Sequence, residues 1–293
     1  MKIRSLATKF NIVFLAVAVA GFSAVGVITN AMLVENAREE TLQHARLLMV
    51  TSDAATKYAS AHITPLLENR LKFEFLPEAV PTFAAIEQLN ALLKAYPNHS
   101  YKQATLNPTN PRNLANAWER PLVEQLRAAP ATTELVGERL GEAGPALYIA
   151  RPIRIQDAAC LACHGTPDAA PGTMLDIYGR ERGFGWKLGE TVGAHVISVP
   201  MAVPLQRANT LLATYMLSLL GIFGFLFVAL NVMIYLLVTR RVGQLSRIAD
   251  DVSLGRADAG AINTRGGDEL AGLARSFDRM RTSLNSAMKM LDE

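Results

Sequence analysis

The chain has 293 residues, room for one or two domains, and half of it is hydrophobic while only 19% is charged. Its mean hydropathy of +0.18 is high for a wholly water-soluble protein. A net charge of +3 gives no footing for nucleic-acid binding, so the excess of apolar residues is the feature to follow, and it lies in two runs.

Residues 1–9 carry Lys2, Arg4 and Lys9 and form a short N-terminal segment. Residues 10–34, FNIVFLAVAVAGFSAVGVITNAMLV, contain no charge and end against Glu35. About 20 apolar residues cross a bilayer, so this run reads as a first transmembrane helix. Its Ala-Val-Ala triplets resemble signal-peptidase sites, but a signal h-region is usually about 7–15 residues and this run is longer, which favours a retained anchor. Residues 35–70 then read as a long helix free of Gly and Pro until Pro65, carrying His44, Met49, Tyr58 and His62. A second helix over Phe83–Tyr96 places Ile86, Leu89, Leu92 and Leu93 on one face. Tyr101–Thr105 reads as a short strand entering a turn rich in Pro and Asn, residues 107–113. Asn113 is placed to cap a short helix from Leu114, and Pro121 suits the first turn of another that ends near Ala128. Thr132–Val136 and Ala146–Ile155 read as strands separated by a Gly137–Pro145 connection.

Next comes Cys160-Leu161-Ala162-Cys163-His164, which holds the only two cysteines of the chain. This spacing suits covalent attachment of one c-type haem. Each thiol adds across a vinyl group to form a thioether, and the adjacent His164 binds the iron. A thioredoxin-like pair wants a strand-to-helix context and usually no following histidine. A zinc site needs a second pair of ligands, and a disulfide across two residues is short and strained. For the other face of the iron His62 ranks first, followed by His44, Met49, Met174, His195 or water. No cysteine is left for thiolate ligation. Arg112, Arg151 and Arg154 are candidates for the haem propionates, since a guanidinium grips a carboxylate through two parallel hydrogen bonds. His99, in a turn, is expected to be exposed.

Beyond the cysteines, Trp186 and Ala194–Val199 suggest a last hairpin, and helices followed by strands make an α+β pattern. Residues 211–238 form the second apolar run and end against Arg240 and Arg241. Within it Asn231 either hydrogen-bonds across a helix pair or is merely tolerated. Basic residues before the first span and after the second put both termini in the cytoplasm and residues 35–210 in the periplasm of a bacterial inner-membrane protein. That is the compartment in which haem c is attached, and the two inferences are independent. In residues 239–293, Leu245, Ile248 and Val252 repeat at helical spacing up to Gly255, and a connector runs to about Gly267. From Asp268-Glu269 onward, Leu270, Leu273, Phe277, Met280, Leu284, Ala287 and Leu291 alternate at three and four residues. Such a heptad seam calls for a partner helix.

Several stretches together resemble a family of PAS-like periplasmic domains carrying a single c-type haem. They are Tyr101–Thr105, Asn107–Asn113, Trp118-Glu119, Arg151–Ile153, Cys160–Gly165, Tyr178-Gly179, Gly183–Trp186 and Val199-Pro200. The resemblance covers about residues 45–201 and implies a haem-based redox or gas-sensing domain with a five-stranded sheet and a long N-terminal helix. The tail resembles a HAMP signal-relay domain, which implies a parallel four-helix coiled coil built by two chains. It departs in one place, with Arg241-Val242-Gly243 where that family commonly has a proline. Ser/His/Asp sets, phosphate-binding glycine loops and zinc-protease motifs are missing, so no enzyme is expected.

The expected architecture is an α+β PAS-like periplasmic domain between two transmembrane helices, with a C-terminal HAMP coiled coil. The expected role is a homodimeric haem sensor that answers to redox change or a small gas ligand. No output region follows Glu293, so a separate cytoplasmic signalling protein is expected as partner. The alternative is a membrane-anchored c-type cytochrome exchanging electrons with a periplasmic redox partner.

Overall fold

The computed structural model describes residues 6–142, 144–254 and 260–292. Lys2 and Arg4, Gly255, Glu293 and the side chain of Leu291 lie outside the described residues. The chain divides into two compact units, residues 29–211 and a second unit made of the N-terminal segment to Ile28 with everything from Leu212 onward.

Unit 29–211 is built on a four-stranded antiparallel sheet of order β1-β4-β3-β2. Its strands are β1 (Ser100–Thr105), β2 (Leu135–Gly141), β3 (Gly144–Arg154) and β4 (Thr191–Pro200). Central β4 is buried along nearly its whole length, as expected of a strand covered on both faces. On one face lie α1 (Leu6–Tyr58) and α3 (Pro81–Leu93), where Met49, Leu89, Leu147, Ile149 and Ile197 are almost fully buried. On the other lies α4 (Arg120–Ala128), whose Leu122, Val123 and Leu126 meet Ala104, Ala150, Ala194 and Val196.

Five local differences from the sequence reading have physical causes. The helix expected over 35–70 is interrupted by a π-turn at Ala59–Ile63, after which α2 (Thr64–Leu71) continues. Pro65 has no N–H and would press on the carbonyl four residues back, and one wider turn relieves this. Asn113 caps no helix. Pro111–Asn113 is a 3₁₀ turn capped by Asn110, whose side chain accepts from Arg112 N, and Leu114 is extended. The stretch read as a Gly137–Pro145 connection forms most of β2 and the first residues of β3. A polar edge strand shows weak hydrophobic alternation, and a side chain at Gly137 would collide with the Tyr148 ring. The expected last hairpin is one strand, β4, which pairs with both β1 and β3. Among the described residues there are four strands rather than five. The segment after β1 contains Pro108 and Pro111, which cannot donate to a ladder, and touches β1 through a single bridge, Thr105 to Leu114.

In the second unit, α7 (Ala202–Ile234) leads through a π-turn at Tyr235–Thr239 into α8 (Arg240–Ser253), and α9 spans Glu269–Asp292. Among the described residues, two helices are long and apolar enough to cross a membrane. Phe14 packs against Phe223 and Phe227, and Phe22 against Phe223, with centroids 5.5–6.3 Å apart. Asn231 donates to the Phe227 carbonyl of its own helix at 2.9 Å. Asp268 caps α9 by accepting from Ala271 N at 2.8 Å and pairs with Arg241 at 2.8 Å. Arg275 holds the connector through the carbonyls of Thr264 and Gly266. Along α9, Leu273, Met280 and Leu284 are exposed.

Candidate functional site

The two cysteines and His164 share one short helical segment. Asp157 caps a 3₁₀ turn ending at Cys160 by accepting from Ala159 N at 2.8 Å, and the helical turn α5 (Leu161–His164) follows at once. Residues three apart in a helix share a face, so both thiols point the same way. Both are unlinked and half-buried, and burial, helped by the neighbouring Cys160, pushes the Cys163 thiol above its ordinary pKa.

His164 is fixed by two segments remote in sequence. Its Nδ1 donates to the Gly183 carbonyl at 2.8 Å, with Thr109 Oγ1 3.3 Å away, and its ring stacks on Trp186 at 3.9 Å and 14°. Gly185 N donates to the Gly165 carbonyl at 2.8 Å and Trp186 N to the His164 carbonyl at 3.2 Å, so this loop is stitched to the cysteine turn. Asn107 holds the same loop by accepting from Gly183 N and donating to the Phe184 carbonyl. Gly183 has φ +82° and lies against Thr109 with no room for a side chain, so glycine is required there. Burial lowers the pKa of His164, opposed by the hydrogen bond to the Gly183 carbonyl. The Nδ1–H bond leaves Nε2 as the acceptor nitrogen, which has no hydrogen bond and is not sealed from solvent. Two free thiols beside such a nitrogen can form two covalent bonds to a ligand and one bond to a metal.

The remaining named residues are dispersed. His62 lies in the π-turn, exposed and beside the Tyr58 ring, with no hydrogen bond or ring contact to the cysteine turn. His44 is exposed, Met49 sits in the core against α3, and Met174 is buried in α6 (Gly172–Tyr178). Arg112 pairs with Glu87 at 2.6 Å and covers the Phe83 ring. Arg151 pairs with Glu134 at 2.9 Å, and Arg154 donates to the carbonyls of Pro130 and Thr132. His99, expected to be exposed, is half-buried against the rings of His44 and Tyr96. Sequence reasoning assigned no role to Thr109, Gly183 or Trp186, although all three stood inside the stretches that carried the family resemblance. Their signal was positional, since contacts across 55 and 19 residues leave no local pattern.

Fold and site together define an α+β domain with an antiparallel sheet, in which a Cys-x-x-Cys-His turn is clasped by the Gly183–Trp186 loop and by Thr109 of the turn after β1. The chain belongs to the Tll0287-like family, which matches residues 34–200. A solved structure, described as that of the cyanobacterial heme-protein Tll0287, is 20% identical and covers 55% of this chain and 95% of its own, with a TM-score of 0.44. No curated protein matches the chain.

Proposed function

We propose that this chain is a membrane-bound haem c sensor that passes a redox or small-ligand signal across the inner membrane to a separate cytoplasmic protein. The observation that carries this reading is His164 with Nδ1 tied to the Gly183 carbonyl and Nε2 free, one residue from two unlinked thiols on a single turn. Membership of a family named for a protein described as a heme-protein supports it. Cys160 and Cys163 would hold a single haem covalently, and His164 would be its proximal ligand. A metal-bound histidine is normally oriented through its other nitrogen, the role the Gly183 carbonyl fills. Trp186 fixes the ring plane, and Thr109 and Asn107 hold the loop that supplies the carbonyl. The haem would supply an iron that changes oxidation state or takes up a small ligand.

The relay rests on the chain order: haem-bearing domain, apolar span, then two helices joined by a connector. The exposed seam of Leu273, Met280 and Leu284 suits the same seam of a second copy, making a HAMP-like four-helix bundle. Two packings of such a bundle would form the bistable element that signalling requires. On this reading the chain is an integral inner-membrane protein with residues 35–210 in the periplasm, and it is not an enzyme. Spin labels at Ser283 test the relay through their distances in oxidised and reduced protein. Shifted distributions are expected, and identical ones refute a redox-driven relay. The half-exposed cysteine turn also suits electron exchange at the surface, the alternative cytochrome role. Rapid electron transfer to a soluble cytochrome with a motionless tail would select it.

A further inference from the structure

The five histidines fall into distinct surroundings. His44 and His62 are exposed, and the Nδ1 of His99 is sealed without a partner. His164 and His195 share a different pattern. In each, Nδ1 is bonded to an oxygen, the ring lies nearly parallel to an aromatic neighbour, and Nε2 has no hydrogen bond yet is not sealed from solvent. For His195 the oxygen is the Tyr101 hydroxyl at 2.9 Å, and the Tyr101 ring is stacked at 6.2 Å and 21°.

Tyr101 joins His195 to a small polar cluster. Its hydroxyl is 2.6 Å from Ser52 Oγ and 3.3 Å from Gln103 Nε2. A phenol oxygen accepts two hydrogen bonds and donates one. Gln103 Nε2 can only donate, so two arrangements satisfy the phenol: His195 Nδ1–H donates to it and its proton goes to Ser52, or Ser52 donates to it and its proton goes to His195 Nδ1. The first arrangement leaves His195 Nε2 its lone pair. Packing alone does not call for this group: Ile197 and Val199, on the same face of β4, fill equivalent positions with aliphatic carbon. An imidazole there costs desolvation that the buried Ser52, Tyr101 and Gln103 offset.

Strand register sets His195 two residues from the end of β1 and three from the end of β3, the ends from which the chain runs into the Thr109 turn and the cysteine turn. His195 pairs with Gln103 and with Arg151, and Gly193, two residues earlier on β4, pairs with Thr105. The chain leaving Thr105 is the turn whose Thr109 touches His164.

We infer that His195 is the second axial ligand of the iron whose first is His164, through its free Nε2, with Tyr101 as its positioning residue. This rests on the haem reading above and replaces exposed His62 as the leading ligand. The experiment uses the full-length protein with haem installed, in detergent. Covalent haem is measured by the pyridine haemochrome, and ligation by visible and EPR spectra of wild type, H195A, H195M and H62A. The expected wild type is six-coordinate and low-spin. H195A keeps its covalent haem, turns high-spin and returns to low-spin when imidazole is added. H195M stays low-spin with a raised reduction potential, because Met/His ligation raises it, and shows that the site folds without the imidazole. H62A matches wild type. A low-spin H195A spectrum identical to wild type, a wild type with an open sixth position, or loss of ligation in H62A overturns the inference while leaving the haem in place. Absence of covalent haem from wild type overturns the functional reading and the inference with it.

Discussion

Gly183→Ala should damage the site in a way that a neighbouring glycine does not. A Cβ at Gly183 would stand 2.8 Å from both Cα and Cβ of Thr109. Carbon atoms pack at about 3.5–4.0 Å, so the two segments must part by at least about 0.7 Å. Because Thr109 Cα is backbone, no rotamer change relieves the contact. The same displacement stretches the 2.8 Å bond from His164 Nδ1 to the Gly183 carbonyl toward about 3.5 Å, where it ceases to be a hydrogen bond. Left-handed backbone costs a non-glycine residue about 1–2 kcal/mol, overpacking about 1–3, and the lost bond about 0.5–1.5, for a total of about 2.5–6.5 kcal/mol. Gly185 is the internal control, with φ +79° and open space around its Cβ, so Gly185→Ala costs only the backbone contribution of about 1–2 kcal/mol. For a domain of this size G183A should lower Tm by roughly 10 °C and G185A by half of that or less. Thermal unfolding followed by circular dichroism gives the stability difference, and nitrogen-15 NMR of the His164 ring gives the tautomer. Equal losses of Tm in the two variants, with Nδ1–H unchanged in G183A, would refute the clasp as described.

Two further predictions follow from the packing and the charges. Met49 has no exposed surface between α1 and the sheet, so Met49→Ala should destabilise unit 29–211 by about 2–5 kcal/mol, read from denaturant midpoints at constant m-value. Burial raises the Glu134 carboxyl pKa, but hydrogen bonds and charge from Arg46 and Arg151 outweigh it and leave the group below its ordinary value. Its stabilising contribution is therefore present above the unfolded carboxylate pKa of about 4.3 and disappears as pH falls below that through the depressed folded value. Glu134→Gln should flatten the acid limb of a stability-against-pH curve, and an unchanged limb would remove Glu134 from the account.

Both apolar spans, the helices over 35–58 and 81–93, and strands β1 and β3 were legible because each rests on a local pattern: length without charge, a repeat of three to four, or a run of β-formers. The hidden elements are those whose form is set by a neighbour. β2 is legible only beside Tyr148, which needs Gly137 bare, and beside Trp118, over which Arg139 lies at 4.2 Å. β4 looked like half a hairpin because Gly193 weakens its pattern. That glycine is demanded by the Ala104 carbonyl and Thr105, which leave no room for a Cβ. The π-turn needed only Pro65, visible in the sequence, but a proline permits either a helix end or a wider turn, and the contacts of Thr64 favour the wider turn. Its hydroxyl donates to the Ala79 carbonyl at 2.8 Å, with the Ala59 carbonyl 3.1 Å away, and ties the π-turn to the segment before α3.

The candidate site divides along the same line. Cys160, Cys163 and His164 are a five-residue statement, readable anywhere, because covalent attachment constrains only how far two sulfurs and one nitrogen stand apart. What orients the imidazole is not local: a carbonyl supplied by a glycine 19 residues on and a hydroxyl 55 residues back. Nor could sequence rank the histidines. His62 drew attention by standing on a long helix, yet it is exposed, while His195 looked like an ordinary alternating strand residue and proves to have its Nδ1 held by Tyr101. An isolated histidine in a sequence reports only its intrinsic pKa and size. Whether it can serve a metal depends on which nitrogen the fold has already occupied, and that is decided by the oxygen placed opposite it: the Gly183 carbonyl for His164, and the Tyr101 hydroxyl, itself tied to Ser52 of α1, for His195.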